Sequence, residues 1–229
     1  MSRDLYAAYS GATVAWRQLE TVANNIANAG TAGFREARLS FQLAPGGEPN
    51  SPLGSAFAQV ADVGYSRQDG ALLQDGNPHH MALRGDGFFA LEDGSYTRDG
   101  SFRRALDGSL ITENGTAVLG EGGPIRLEPH ETFAVGVDGT ITGATSGEVG
   151  KLRLVSLARA TPLGGNRWQG VPGEAPEISV LQGVREGSNA DPLRGMVELV
   201  EASRYFEAQQ KAMQASDEMQ ARLTRIQGG

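Results

Sequence analysis

The sequence predicts an α+β fold: long N- and C-terminal helices pairing as a coiled-coil-like domain, with a central antiparallel all-β domain of hairpins between them. Three observations carry this. Apolar residues recur with 4-3 spacing at both extremities, the period drops to two in the middle, and Asx-Gly dipeptides punctuate that middle at hairpin spacing. Glycine is in excess, 32 of 229 residues, and turns of this kind explain the excess.

In chain order, Leu5, Tyr9, Ala12, Trp16, Leu19, Ala23 and Ile26 form the first seam. Ser2 suits the N-cap, and Gly30, Thr31 and Gly33 end the helix. Tyr6, Ala7, Ala8, Gly11 and Ala15 lie on an adjoining face, so this helix calls for neighbours on more than one side. Asn24, Asn25 and Asn28 make a polar cluster near its end, suited either to setting register through amide hydrogen bonds or to a fraying terminus.

Residues 31–77 fit neither period. Pro45, Gly46, Gly47, Pro49, Asn50, Pro52 and Gly54 read as a linker, flexible or ordered by a partner. Residues 78–187 read as the β domain, with short strands at Gly87–Glu92, Tyr96–Arg98, Ser101–Leu106, Ser109–Thr112, Thr116–Leu119, Phe133–Val137, Thr140–Thr142 and Lys151–Leu157. Asp93-Gly94, Asp99-Gly100, Asp107-Gly108, Asn114-Gly115 and Asp138-Gly139 separate them as type I′ turns, in which both central residues take positive φ. Asp191 and Pro192 open the last helix as cap and first residue. Tyr205, Gln209, Ala212, Ser216, Met219, Leu223 and Ile226 continue the 4-3 spacing there, with Leu193, Met196, Leu199 and Val200 on the apolar face before them. Residues 1–30 and 188–229 thus form one discontinuous helical domain.

The chemistry the chain can perform is narrow. A net charge of −7 argues against a nucleic-acid partner, and an apolar run of five residues, Leu5 to Tyr9, is far short of a membrane span. Arg17 and Glu20 break any apolar leader, so no cleaved signal peptide is expected. Without cysteine there is no disulfide, thiol catalysis or cysteine zinc site. His79 and His80 point to opposite faces of an extended chain and make poor joint metal ligands; His130 stands apart. Gly120-Glu121-Gly122-Gly123 lacks the Lys-Ser/Thr of a phosphate loop, and the Asp-Gly pairs lack the spacing of a calcium loop. No catalytic residue, cofactor site or metal site is expected, and the chain reads as no enzyme. A carbohydrate-active enzyme on the β domain is the competing class. It calls for a concave site with aromatics, yet no tryptophan lies between Trp16 and Trp168.

Ser10-Gly11, then Val22-Ala23-Asn24-Asn25-Ile26-Ala27-Asn28 and Thr31-Ala32-Gly33-Phe34-Arg35, resemble the N-terminal signature of bacterial flagellar rod and hook proteins. Leu83-Arg84-Gly85-Asp86-Gly87-Phe88-Phe89 and Tyr96-Thr97-Arg98-Asp99-Gly100-Ser101-Phe102 resemble the β domain of that family. Glu186-Gly187-Ser188-Asn189, Met196-Val197, Arg204, Phe206-Glu207 and Lys211 resemble its closing helix. The short stretch from Phe34 to Gly87 resembles the proximal rod branch more than distal rod or hook subunits. The resemblance implies export through the flagellar type III apparatus and assembly in the periplasmic rod of the basal body. It implies partners among other rod subunits and further copies of this chain, and torque transmission without a chemical step. Expected subunit-packing residues on the first helix are Leu5, Tyr9, Trp16, Leu19, Asn24, Asn25, Ile26 and Asn28, followed by Phe34. On the last helix they are Met196, Leu199, Phe206, Met219, Leu223 and Ile226.

Overall fold

The computed structural model describes residues 3–46, 55–173 and 178–227, with side chains for 8–42, 59–173, 178–219 and 221–222. The chain divides into two compact units. One comprises residues 1–29, 36–66 and 190–229; the other comprises 30–35 and 67–189.

The first unit is built on α1 (Arg3–Ala27) and α2 (Pro192–Gln227), of 25 and 36 residues. Asp191 opens α2 as the sequence predicts: its Oδ1 accepts the Leu193 amide at 2.9 Å and the Arg194 amide at 3.3 Å. Arg194 Nε then donates to Glu198 Oε1 at 2.8 Å, one turn on. The helices run antiparallel, since Gly11 faces Gln209 while Ile26, toward the other end of α1, faces Gly195. Ser2, proposed as the N-cap of α1, lies outside the described residues.

The stretch read as a linker carries a second element of this unit. Strands β1 (Ala37–Gly46) and β2 (Ser55–Tyr65) pair antiparallel over their length, with a bulge between Ser40 and Phe41. The alternation was present in Arg38-Leu39-Ser40-Phe41-Gln42-Leu43; the prolines and glycines that obscured it are confined to residues 45–54, toward the turn. A two-stranded hairpin is marginal alone, and α1 supports this one. The buried amide of Asn25 receives the Ala37 N–H on Oδ1 and donates Nδ2 to the Ala37 carbonyl, both at 2.9 Å, as a neighbouring strand would. Ser66 N donates to Glu36 O at 2.9 Å and closes the base. Of the two roles open to the asparagines, Asn25 therefore sets register, and it does so within the chain.

The second unit is antiparallel β throughout. Its core gathers Met81, Leu83, Phe89, Leu91, Phe102, Leu110, Val118, Ile125, Ile141, Leu152 and Val180. Phe88–Ala90, Tyr96–Thr97, Arg167–Gly173 and Leu154–Gly164 close into a small ring of strands. Phe133–Val135, Thr140–Gly143 and Gly147–Lys151 make a three-stranded sheet. Ser179–Gln182 pairs with Met81–Arg84, and Val184–Glu186 pairs with Leu72–Gln74. Strands at 167–173 and 179–186 were not foreseen, because they lack a flanking Asx-Gly pair.

The turns differ from expectation in type. Gly94, Gly108, Gly115 and Gly139 have φ of 79°, 84°, 87° and 86°, but the Asp or Asn before each is not left-handed. In each the glycine N–H returns to the carbonyl three residues back, as in Gly94 N to Leu91 O at 3.1 Å, while Leu91 N donates to Ser95 O at 2.9 Å. This is the three-residue hairpin ending in a left-handed glycine, not the two-residue I′ form. A side-chain device favours it. Asp93 Oδ1 accepts Ser95 N at 2.9 Å, Asp107 Oδ1 accepts Ser109 N at 3.1 Å and Asp138 Oδ1 accepts Thr140 N at 3.2 Å. The same Ser and Thr hydroxyls hold Asp107 and Asp138 below the usual carboxylate range.

Glu131 organises the loop at 143–147 in the same way. It accepts the Thr145 hydroxyl at 2.7 Å, the Thr145 amide at 2.6 Å, and the Ser146 amide and hydroxyl at 2.7 and 2.8 Å. These bonds, the Thr145 hydroxyl foremost, lower its pKa from 4.5 to about 2. The folded value lies below the unfolded one, so the contribution is complete above pH 4.5 and disappears as pH falls toward about 2. In an NMR titration the Thr145 and Ser146 amide shifts should move with a midpoint near pH 2 and be flat in Glu131→Gln; a midpoint near 4.5 contradicts this.

Candidate subunit-packing surface

The inward residues of the two helices overlap only in part with the seam read from the sequence: Ala12, Leu19 and Ile26 belong to both. Among the buried positions of α1 are Ala8, Ala12, Ala15 and Val22, with Leu19 and Ile26 half-buried. On α2 Gly195 and Ala202 are buried, while Leu199, Phe206, Gln209 and Met213 are half-buried. Both sets keep the 4-3 spacing, but the α1 set takes members of the small-residue face. Small side chains let two helix backbones approach closely: a Cβ on Gly195 would stand 2.8 Å from Ile26 Cγ1. Tyr9 and Trp16, assigned by spacing to the seam, are displaced to its flank and are 65% and 57% exposed. Trp16 leans on Phe206, with ring centroids 6.0 Å apart at 49°.

The other expected packing residues divide between inside and outside. Met196 and Met219 are exposed, at the same level as Leu193, Val197, Val200 and Tyr205. Leu193, Val197 and Val200, at i, i+4 and i+7, lie on one stripe of α2. Leu199 and Phe206 are partly spent on the α1–α2 contact, and Asn25 is spent on β1. Asn24 is exposed, and its carbonyl receives Asn28 Nδ2 at 2.8 Å within α1. Phe34 is half-buried in the β unit, where its carbonyl receives the Asn189 amide at 3.3 Å. The side chains of Leu5, Leu223 and Ile226 lie outside the described residues.

A cluster of charge, which the sequence reading passed over, sits at the ends of the β unit. Arg35, Arg98 and Glu186 are buried, and Asp69 is half-exposed beside them. Glu186 Oε2 accepts Arg98 Nε at 2.6 Å, and Glu186 Oε1 lies 3.1 Å from an Arg35 guanidinium nitrogen. Asp69 Oδ1 accepts from Arg35 and Arg98 at 3.0 Å each. Arg98 also donates to the carbonyls of Leu83 at 2.9 Å and of Gly85 and Gly87 at 2.6 Å. Burial lowers the Arg98 pKa, against the raising influence of Glu186. Gly33 fits here because its φ is 66° and a Cβ would stand 2.6 Å from the Asp99 backbone nitrogen. Arg35, Arg98 and Glu186 each fall within a motif and Asp69 within none, and no local pattern reveals that these remote segments converge.

The histidines are structural in their surroundings. His80 Nδ1 lies 2.6 Å from Asp75 Oδ2, and His79 stacks edge-on to Phe133 at 5.3 Å, where burial lowers its pKa. Among the described residues no three His, Asp or Glu side chains are grouped to hold a metal ion, and no helix is long and apolar enough to cross a membrane.

Comparison with known proteins gives three family matches in chain order. Residues 5–35 match the flagella basal body rod protein model, residues 82–143 the flagellar hook protein FlgE/F/G D1 domain, and residues 181–226 the flagellar basal body rod FlgEFG protein C-terminal region. Over 96% of its length the chain is 32% identical to the flagellar basal-body rod protein FlgF of Caulobacter vibrioides, covering 95% of that protein. It is 30% identical to FlgF of Salmonella typhimurium, with 99% and 98% of the two chains covered. It is 27% identical to the rod protein FlgG of Bacillus subtilis, with 99% of each covered. Each matched segment supplies one buried member of the charge cluster: Arg35, Arg98 and Glu186.

Proposed function

This chain belongs to the flagellar basal-body rod protein family, and from that premise we propose that it is a FlgF-type proximal rod subunit. It polymerises with other rod subunits through α1 and α2, whose contact is coiled-coil-like, and transmits torque from motor to hook without a chemical step. The observation that carries this reading is the exposed apolar row of Leu193, Met196, Val197 and Val200 along α2, together with the exposed faces of Tyr9 and Trp16 on α1, of which Trp16 also touches Phe206. Such a row loses free energy in water, about 25 cal/mol for each Å² of apolar surface left uncovered. Neighbouring subunits are the cover, in the periplasmic part of the basal body, reached through the flagellar type III export apparatus. The β unit, with its three-residue hairpins and packed core, serves as a rigid body and carries no active site. The proximal assignment rests on the FlgF relatives, whereas the FlgG relatives point to the distal rod alternative.

Basal bodies from a strain lacking this chain, imaged by subtomogram averaging, test the reading. Rods should stop short at a proximal level, and a labelled copy should restore density there. Complete rods in the deletion strain overturn a structural role, and label at the hook end overturns the proximal assignment.

A further inference from the structure

The chain passes between its two units at 29/30, 35/36, 66/67 and 189/190. Every one of these crossings falls within a few residues of a member of the Arg35–Asp69–Arg98–Glu186 cluster. We propose that this cluster is a latch that holds all the crossings of the chain, or releases them, as one cooperative element.

Three segments meet there: 33–35 after α1, 67–71 after β2, and 186–189 before α2. They are bonded to one another as well as to the charges. Gly33 N donates to Glu186 O at 2.9 Å, Gly187 N to Ala71 O at 2.8 Å, and Asn189 N to Phe34 O at 3.3 Å. Gly70 N donates to Glu186 Oε1 at 3.0 Å, and Asn189 Nδ2 to Gln68 O at 2.7 Å. Arg35 also donates to the Gln68 carbonyl. Arg98 joins this set to the core through the Leu83, Gly85 and Gly87 carbonyls.

The charges make the set cooperative. Two guanidiniums and two carboxylates balance, so no member can leave without exposing an unmatched partner in a buried place. If Glu186 withdraws, Arg35 and Arg98 face each other across the gap with only half-exposed Asp69 between them. Lifting one segment therefore costs nearly as much as lifting all three, which is the condition for a single local opening unit. The latch decides whether the segments 33–35, 67–71 and 186–189 are held together or open together.

Native-state hydrogen exchange on the full-length monomer tests this, independently of whether the protein assembles. The reporters are the amides of Gly33, Gly70, Gly187 and Asn189, and Trp168 fluorescence verifies that the β unit remains folded. In Glu186→Gln all four amides should exchange faster by a common factor of ten or more. Asp69→Asn, which alters only the half-exposed member, should accelerate all four by a smaller common factor and keeps the test open if Glu186→Gln fails to fold. Acceleration confined to the segment carrying the substitution, or unchanged exchange at all four amides in the folded variants, overturns the latch.

Discussion

A Trp16→Asp protein should fold as a monomer and fail to support swimming. In the free chain the indole is more than half exposed, and its chief described contact is the tilted Phe206 ring. Losing such a contact costs the helical unit about 0.5–1.5 kcal/mol, within what a folded protein tolerates. On the proposed assembly surface the same position becomes covered, and an unpaired carboxylate in a dry contact costs several kcal/mol. That cost recurs at every copy along a polymer. Circular dichroism of the monomer and Trp168 fluorescence should thus be nearly unchanged, while motility in complemented cells is lost. Normal swimming would remove Trp16 from the assembly surface. Leu19→Asp is the contrasting variant. Leu19 is half-buried on the contact with α2, so its substitution should already lower the helix content of the monomer.

That contrast separates what spacing could reveal from what it could not. The 4-3 pattern located both helices and their length, because burial on one face of a helix has to repeat near 3.6 residues. It did not select which of two adjoining stripes meets the partner helix. Leu5, Tyr9 and Trp16 are larger and more apolar than Ala8, Ala12 and Ala15, so they dominate any reading of hydrophobicity. Yet the small residues permit close approach, and they are the buried ones. Tyr9 and Trp16 remain more than half exposed. In the β unit, Asp-Gly marked turns correctly, while their type depended on Ser95, Ser109 and Thr140, whose amides and hydroxyls satisfy the aspartates. The hairpin of β1 and β2 was hidden by proline and glycine near its turn. Its anchor, Asn25, was legible only as one of two alternatives, since nothing in the sequence shows that its amide meets Ala37. The charge cluster was illegible for a plainer reason: Arg35, Asp69, Arg98 and Glu186 are too far apart in sequence for any local period to relate them.

Arg98→Ala should cost the β unit about 3–5 kcal/mol, the usual consequence of removing one partner from a buried ion pair. Set against a total of about 5–15 kcal/mol for a folded domain, this brings the unit close to unfolding at ordinary temperature. The reading is a urea transition followed by Trp168, which packs on Phe88 at 5.8 Å, in a Trp16→Phe background so that only the β unit reports. A loss below about 1 kcal/mol would show that water or a neighbouring group replaces the guanidinium. Arg98→Lys should recover little. One ammonium cannot serve Glu186, Asp69 and the carbonyls of Leu83, Gly85 and Gly87, which the planar guanidinium reaches through all three of its nitrogens. The carbonyls also decide a subtler question. Buried ion clusters can often be exchanged for apolar side chains of similar volume without loss, because desolvating the charges costs about as much as their attraction returns. Here that exchange should fail even with Arg35, Arg98 and Glu186 all replaced by methionine or leucine. It removes the charges but takes the guanidinium partner from the Leu83 and Gly87 carbonyls and the carboxylate partner from the Gly70 amide, and each such orphan costs about 1–3 kcal/mol. Arg98 is therefore held in place as much by the backbone turns it satisfies as by the carboxylate it neutralises.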